Sequence, residues 1–242
     1  HPDMLTDRFR AHAGVWRDIV KLPDDQVGEL VREDRIDILV DLALHSPDNR
    51  LRVFARKPAP VQVTFAGYPG TTGLATIDHR LTDPYLDPPE LLERYYSENS
   101  WRLPESFWCY DPLGDSSTVN PLPALTRGYV TFGCLNNFCK VNRRGLALWA
   151  QVLAAVPSSR LLLLSAQGSH RNDALDLLQR AGIAPERVTF SERVARSRYF
   201  DCYHQIDIGL DTFPYNGHTT SLDSLWMGVP VVSTKMAPPL FP

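Results

Sequence analysis

Hydrophobic positions in the first part of the chain alternate between helical and extended spacing. A periodic stretch at 24–34 predicts a helix, with one of its first two aspartates as the N-cap. Apolar runs at 36–42 and 61–67 predict strands, and the segment 49–57 between them is expected to form the crossover helix. Such a β-α-β unit predicts a parallel sheet.

The second half of the chain repeats this alternation more strictly. Its predicted strands lie at 129–135, 160–165, 187–191 and 207–211, and its predicted helices lie at 173–181, at 197–205 and after the N-cap Asn142. Strict alternation of strands and helices predicts a doubly wound α/β sheet.

Between the two halves, the segment 111–125 contains three prolines, a glycine and a run of serine and threonine. This composition is typical of a linker and not of the interior of a helix or strand. We therefore predict an N-terminal lobe at 1–112, a linker at 113–126 and a C-terminal lobe at 127–242.

Composition narrows the function classes. The 242 residues are 43% hydrophobic, which is enough for a substantial core, and the net charge of -3 gives no general basic surface for nucleic acid. No apolar run reaches the roughly 20 residues that cross a bilayer, and no signal-peptide pattern opens the chain. The four scattered cysteines fit reduced thiols better than a zinc or disulfide framework. We expect a cytoplasmic protein with neither nucleic acid nor membrane as its partner.

Polar residues concentrate at the start of the predicted helix that follows the last of these four strands. Backbone N–H groups in a first helical turn lack partners within the helix and bind phosphate readily. Gly217 permits a close approach of a ligand, His218, Thr219 and Thr220 add donors, and Asp223 lies one turn later, where its carboxylate can accept from ribose hydroxyls. The alternative is that Thr219 only caps the helix and His218 is a hydrogen-bonded loop residue.

Five motifs in order resemble the nucleocytoplasmic O-GlcNAc transferases, the plant SPINDLY proteins and their bacterial relatives with tetratricopeptide repeats. The similarity runs from about Trp16 to Val232, and its motifs lie at 36–42, 56–63, 67–73, 132–140 and in the His218-Thr219-Thr220 segment. The resemblance implies a GT-B fold, with two Rossmann-like lobes and mainly parallel sheets. Because the chain starts without methionine and enters the family pattern midway, we expect a fragment of the C-terminal catalytic region, with both lobes truncated and repeats upstream.

The resemblance also implies roles for single residues. Lys140 matches the lysine that contacts the phosphates of the leaving nucleotide, and Asn137 matches a glutamine near the phosphates or the sugar. Val194 and Arg196 match a segment that contacts the nucleobase, with Arg196 in place of a lysine.

The first lobe and the base-contacting segment add further implied positions. Ala66 and Gly67 match a strand end that faces the N-acetyl group of the sugar, although many members have leucine at the position of Ala66. Tyr199 stands where many members carry a histidine near the base. These departures leave the base and the sugar open. The polar segments that follow three of the strands are expected to face one cleft between the lobes.

The implied reaction is the inverting transfer of GlcNAc from UDP-GlcNAc to serine or threonine hydroxyls of proteins. Lys140 and the helix start would stabilise the departing diphosphate, as a metal ion does in other transferases. No Asp-x-Asp triplet occurs in the sequence, which fits a metal-independent reaction with the nucleotide sugar as substrate and no further cofactor.

Some assignments stay open at this stage. The family's His-Pro loop, with its proposed proton-handling residues, would lie upstream of His1, so no general base is assigned. The fragment alone is expected to bind a donor weakly or to be inactive. Alternatives are a SPINDLY-like O-fucosyltransferase that uses GDP-fucose, a cytoplasmic glucosyltransferase that acts on asparagine, and a non-catalytic scaffold in a repeat protein.

Overall fold

The chain divides into two compact units, which we call the first unit (His1–Cys109) and the second unit (Tyr110–Pro242). The computed structural model describes residues 3–68, 70–89, 93–113 and 118–234. The predicted linker at 113–126 belongs to the second unit, and its residues 114–117 lie outside the described residues, as do the last residues of the predicted C-terminal lobe. The assignment of 113–126 as a linker stays a prediction.

The first unit contains a four-stranded, all-parallel sheet in the order β1-β2-β3-β4. Its helices are α1 (Met4–His12), α2 (Asp24–Glu33) and α3 (Leu51–Phe54), and its strands are β1 (Ile38–Asp41), β2 (Val61–Thr64), β3 (His79–Thr82) and β4 (Asn99–Arg102). The predicted β-α-β unit with parallel strands is therefore confirmed.

The first unit also corrects the sequence-based expectations. The N-cap of α2 is Pro23 and not an aspartate, because the Asp24 carboxylate accepts instead from Arg50 Nη1 at 2.8 Å. The crossover helix is a single turn, shorter than 49–57. Strands β3 and β4 were not predicted, since their side chains are largely polar.

The second unit contains a five-stranded, all-parallel sheet in the order β7-β6-β5-β8-β9. Its strands are β5 (Thr131–Cys134), β6 (Arg160–Leu164), β7 (Val188–Ser191), β8 (Ile208–Leu210) and β9 (Val231–Val232). Its helices are α4 (Ala124–Arg127), α5 (Arg143–Ala155), α6 (Ser169–Arg180), α7 (Arg196–Tyr199) and α8 (Thr219–Trp226). The predicted doubly wound sheet is confirmed.

Helix starts in the second unit follow the sequence with two exceptions. Asn142 is the N-cap of α5, and its Oδ1 accepts from the Gly145 N–H at 3.0 Å, as predicted. Helix α6 begins at Ser169 and not at 173. The helix expected at 197–205 is the short α7 followed by a 3-10 helix at Phe200–Gln205.

The core of the second unit covers both faces of its sheet. Leu161 and Leu163 of β6 are fully buried in one hydrophobic cluster, against Leu153 of α5 and Leu178 of α6. Leu162 points the other way, into a second cluster. Consecutive apolar residues in a strand are typical of a parallel sheet buried on both sides.

The strand order of this sheet contains a topological switch point. From the central strand β5 the chain moves outward through β6 and β7, and it then returns to the opposite side of β5 with β8 and β9. In open α/β sheets, ligands bind beyond the carboxyl ends of the strands at such a reversal. The carboxyl ends of β5 and β8 therefore mark the candidate site.

Candidate functional site

The predicted asparagine and lysine lie at the carboxyl end of β5. Asn137 is exposed and caps a 3-10 turn at Phe138–Lys140, where its Oδ1 accepts from the Cys139 N–H at 3.3 Å. This short turn places Lys140 close to the loop that follows β8. The role of Asn137 toward a ligand stays a prediction.

The Lys140 side chain is held by the loop between β8 and α8. Its Nζ donates to the carbonyl oxygen of Asn216 at 3.0 Å and lies 4.2 Å from the centroid of the Tyr215 ring. Burial lowers the pKa of Lys140, while the negative charge of Asp211 opposes that shift. The site therefore presents a partly buried ammonium group whose hydrogen-bond partner is a neutral carbonyl.

Asp211, which directly follows β8, organises the same loop. Its carboxylate accepts from the backbone N–H groups of Thr212 and Gly217, at 2.8 and 2.6 Å, and from the side chains of Asn216 and Ser233, at 2.9 and 2.7 Å. The sequence pattern identified Asp211 only as the last residue of a strand. An aspartate at the carboxyl end of a buried strand was the available signal.

The start of α8 lies beside these groups. His218 occupies the N-cap position and Thr219 is the first helical residue, so the alternative that Thr219 caps the helix is wrong. Thr219 is exposed, whereas the Thr220 hydroxyl donates to Asn136 Oδ1 and so ties α8 to the end of β5. A Cβ at Gly217 would overlap Ser221 Oγ, so a larger residue there would require the Ser221 side chain to rotate.

The electrostatics of this helix start favour a neutral imidazole. Burial lowers the pKa of His218, and the nearby positive charge of Lys140 lowers it further. At neutral pH, His218 therefore adds a hydrogen-bonding group without a second positive charge.

The predicted nucleoside-binding residues Asp223 and Arg196 are brought together by the structure. The buried Asp223 Oδ1 accepts from Arg196 Nη2 at 3.3 Å and from the Tyr110 hydroxyl at 2.6 Å. Burial opposes the charge of Arg196, but its hydrogen bond to Asp223 and the attraction of that carboxylate outweigh burial and raise its pKa. Val194 lies exposed in the segment just before α7.

Tyr110 was missed by sequence analysis. Burial and the hydrogen bond to Asp223 raise the pKa of its hydroxyl, so the phenol stays protonated and donates. Tyr110 lies far from Asp223 in the sequence, and no local pattern connects the two residues.

Ala66 and Gly67 follow β2 in the first unit. Ala66 has φ of 66°, in the left-handed region. A Cβ at Gly67 would lie 3.1 Å from the carbonyl carbon of Ala43 and 3.2 Å from the oxygen of Leu42, so glycine allows the segments after β1 and β2 to approach. The prediction that these residues share a cleft with the second unit stays a prediction.

Neither a metal-binding cluster nor a membrane-spanning helix is present in the described part of the chain. Within it, no group of three or more His, Cys, Asp or Glu side chains is arranged to hold a metal ion. None of its helices is long and apolar enough to span a membrane. The four cysteines are free thiols.

Comparison with known proteins finds relatives over nearly the whole chain. The SPINDLY protein of Petunia hybrida, described as a probable UDP-N-acetylglucosamine–peptide N-acetylglucosaminyltransferase, is 44% identical over 96% of this chain and 26% of its own length. The SEC protein of Arabidopsis thaliana, with the same description, is 30% identical over 95% of this chain and 24% of its own. The chain thus spans about a quarter of the length of these relatives.

A solved structure and a family model agree with these relatives. A mutant O-GlcNAc transferase of Thermobaculum terrenum superposes with a TM-score of 0.89 at 39% identity, over 96% of this chain and 44% of that one. This agreement confirms the α/β fold with two parallel sheets. The model of glycosyl transferase family 41 matches residues 18–119 and 121–238. The chain belongs to glycosyl transferase family 41.

Proposed function

We propose that the protein containing this chain transfers N-acetylglucosamine from UDP-N-acetylglucosamine to serine or threonine hydroxyls of proteins, with inversion and without a metal ion. The descriptions of its relatives support the reaction class. The observation that carries the proposal is the meeting of the Lys140 ammonium group and the start of α8 at the switch point of the sheet.

Charge stabilisation is the task that this arrangement suits. A departing diphosphate gains negative charge, and a helix N-terminus together with a partly buried lysine attracts that charge in a medium of low dielectric. The Lys140 ammonium donates to the neutral carbonyl of Asn216. A phosphate oxygen would replace this partner with a charged one, and a charge-assisted hydrogen bond is the stronger of the two.

The bond changes follow from this assignment. The acceptor hydroxyl oxygen attacks the anomeric carbon from the face opposite the diphosphate, and the bond between that carbon and the phosphate oxygen breaks. The bonding electrons leave with the diphosphate, and the hydroxyl proton passes to a base. Attack from the opposite face inverts the anomeric configuration. Lys140 and the first turn of α8 stabilise the leaving group.

Asp223, Arg196 and Tyr110 are proposed to form the nucleoside end of the same site. The Asp223 carboxylate lies within α8, one turn beyond Thr219, and can accept from a ribose hydroxyl. Arg196 carries a planar group that can hydrogen-bond and stack on a base. Because Arg196 replaces the lysine of the family pattern, we keep GDP-fucose as the alternative donor for the test.

A radiolabel transfer assay tests the proposal. The protein that contains this chain is incubated with acceptor proteins and with labelled UDP-N-acetylglucosamine or labelled GDP-fucose. Each reaction is run with and without a metal chelator. We expect label to be transferred from UDP-N-acetylglucosamine only, and the chelator should not reduce this transfer. Alkaline β-elimination should release the label, because it cleaves O-linked and not N-linked sugar.

Two variants control the assay. Lys140→Ala should lower transfer by a factor of about 100 or more, because it removes a group that stabilises the leaving charge. Lys21→Ala, which removes an exposed lysine of the first unit, should leave transfer unchanged. Transfer of fucose, or equal activity of Lys140→Ala and the unsubstituted protein, would overturn the proposal.

A further inference from the structure

We infer that Asp211 is a positioning residue that holds the loop 212–217, and with it the Lys140 ammonium and the start of α8, in the geometry that binds a nucleoside diphosphate. The inference rests on the proposed function and extends it to a residue that does not itself touch the donor.

Hydrogen bonds of the Asp211 carboxylate are the first line of support. Both oxygens accept from groups spread over the loop and its surroundings. The donors are the N–H groups of Thr212 and Gly217, the side-chain amides of Asn216 and Asn136, and the Ser233 hydroxyl. The carboxylate thus links Thr212, at the start of the loop, to Gly217, at its end. It also links the loop to Asn136, which follows β5 on the other side of the switch point.

The second line of support is that Asp211 reaches both charge-binding groups through one intermediate each. Asn216 donates its side-chain amide to Asp211 at 2.9 Å, while its carbonyl accepts from Lys140 at 3.0 Å. Asn136 donates to Asp211 at 3.4 Å, and its Oδ1 accepts from Thr220 in the first turn of α8. Moving the Asp211 carboxylate would therefore move both groups.

Charge provides the third line of support. The titratable groups that interact with Lys140 are Asp211, Cys139, Cys134 and, across the helix start, His218. Burial lowers the pKa of Lys140, and the Asp211 carboxylate is the largest influence that raises it. Removing that negative charge should therefore deprotonate Lys140 at a lower pH than in the unsubstituted protein.

The same strand offers a matched control. Asp207 precedes β8 at its amino end, is buried, and accepts from the N–H groups of Ala124 and Thr131, both at 2.8 Å. It resembles Asp211 in charge and in capping backbone donors, but it lies at the end of the sheet opposite the candidate site. Asp207→Asn should therefore reduce stability without changing nucleotide binding.

Calorimetric titration with UDP and, in parallel, with GDP compares the unsubstituted protein with Asp211→Asn and Asp207→Asn. We expect Asp211→Asn to weaken binding of the preferred nucleotide by about tenfold or more, since it removes hydrogen bonds to a charged group. Asp207→Asn should keep the original affinity. The alkaline limit of binding should shift to lower pH in Asp211→Asn only.

Hydrogen exchange of the ligand-free proteins gives a readout that needs no nucleotide. The amides of Thr212 and Gly217 should exchange faster in Asp211→Asn than in the unsubstituted protein, and at the original rate in Asp207→Asn. Unchanged exchange in Asp211→Asn would overturn the inference, whether or not a nucleotide binds.

The calorimetric titration distinguishes a failure of the inference about Asp211 from a failure of the proposed function. If the unsubstituted protein binds a nucleotide and Asp211→Asn binds it equally well, the inference is wrong and the proposed function stands. If the unsubstituted protein binds neither UDP nor GDP, the proposed function fails, and hydrogen exchange alone decides whether Asp211 holds the loop.

Discussion

The parallel sheets of the two units are covered in different ways. In the second unit, successive leucines of β6 enter hydrophobic clusters on opposite faces of the sheet. In the first unit, one face carries polar side chains that are buried, and several apolar side chains of the other face are exposed. The buried polar residues include Asp41, Gln62, Thr64, Arg80 and Thr82, and the exposed apolar residues are Ile38, Val40, Leu42, Val61 and Trp101.

This difference shows what stabilises each sheet. Parallel sheets are normally buried on both faces, and the sheet of the second unit follows this rule. The exposed apolar side chains on the sheet of the first unit form a surface that favours burial against another surface. The first unit buries polar side chains beside apolar ones such as Phe54 and Ile77, and a buried charge there is tolerated only when it is paired. The candidate site at the carboxyl ends of β5 and β8 lies on the sheet that is buried on both faces, and such a rigid sheet supports preorganised groups best.

The largest expected effect tests the polar network of the first unit. Arg80 and Asp87 form an ion pair with side chains only 3% and 1% exposed, and Arg80 lies 3.4 Å from the centroid of the Tyr96 ring. Arg80→Met should lower the free energy of unfolding by about 3 to 5 kcal/mol, because it removes one partner of a buried pair and leaves Asp87 with only the partly exposed Arg102, 3.1 Å away. Urea denaturation measures this loss.

An exposed ion pair of the same unit is the control for this change. Arg32 and Glu29 pair at 2.6 Å on the surface of α2, with side chains 42% and 67% exposed. Arg32→Met should cost far less than Arg80→Met, since solvent screens such pairs. Equal losses in the two variants would show that the buried pair does not stabilise the first unit.

The next prediction compares a buried side chain in the sheet of the second unit with an exposed side chain in the sheet of the first unit. Leu163→Ala, at a side chain that is fully buried in β6, should destabilise the second unit by about 2 to 5 kcal/mol through lost burial and a cavity. Val40→Ala, at a side chain 45% exposed on β1, should change stability by no more than about 0.5 kcal/mol. Denaturation of both variants checks the contrast, and a large loss for Val40→Ala would mean that its face is covered in solution.

A smaller effect is expected at the start of α5. Asn142→Ala removes the N-cap bond to Gly145 and the bond from the Asn142 amide to the Phe213 carbonyl. The expected loss is about 1 to 2 kcal/mol by thermal unfolding. Asn142→Ser keeps a capping oxygen and should recover much of that loss, and failure to do so would argue against the cap.

The smallest effect concerns pH. Burial tends to raise the pKa of Glu98, but hydrogen bonds from Thr72 and Thr71 outweigh burial and lower it below its ordinary value of 4.5. A lowered folded-state pKa adds stability that is present above pH 4.5 and is lost as the pH falls through the folded-state value. Urea denaturation at several acidic pH values should show this loss, and Glu98→Gln should flatten it.

The sequence predicted the second unit better than the first for a physical reason. Strand β6 contains four consecutive leucines, at 161–164, as expected of a strand buried on both faces, and its neighbours β5 and β7 were predicted from shorter apolar patterns. Strands β3 and β4 place polar side chains such as Arg80 and Thr82 on the buried face, and such strands do not differ from loops in hydrophobicity. Their burial depends on partners such as Asp87, which local patterns do not identify.

The residues of the candidate site also differ in how well the sequence predicted them. His218 and Thr220 were proposed because a helix start has a local signature, whereas Lys140 was proposed from the family resemblance. Tyr110 contacts Asp223, which lies 113 positions further along the chain, and Asp211 contacts Asn136 across 75 positions, so no local pattern shows these two contacts. The pairing of Arg196 with Asp223 was not predicted either, although each residue was proposed separately.

Thermal unfolding in the presence of UDP, of GDP and of no nucleotide tests the central claim most directly, namely that the switch point of the second unit binds the donor nucleotide. A ligand that binds only the folded state stabilises it, by about 2.7 kcal/mol at a hundredfold excess over Kd. We predict that one nucleotide raises the unfolding temperature, that Lys140→Ala abolishes this rise and that Lys21→Ala retains it. No rise with either nucleotide, or an equal rise in Lys140→Ala, would contradict the account.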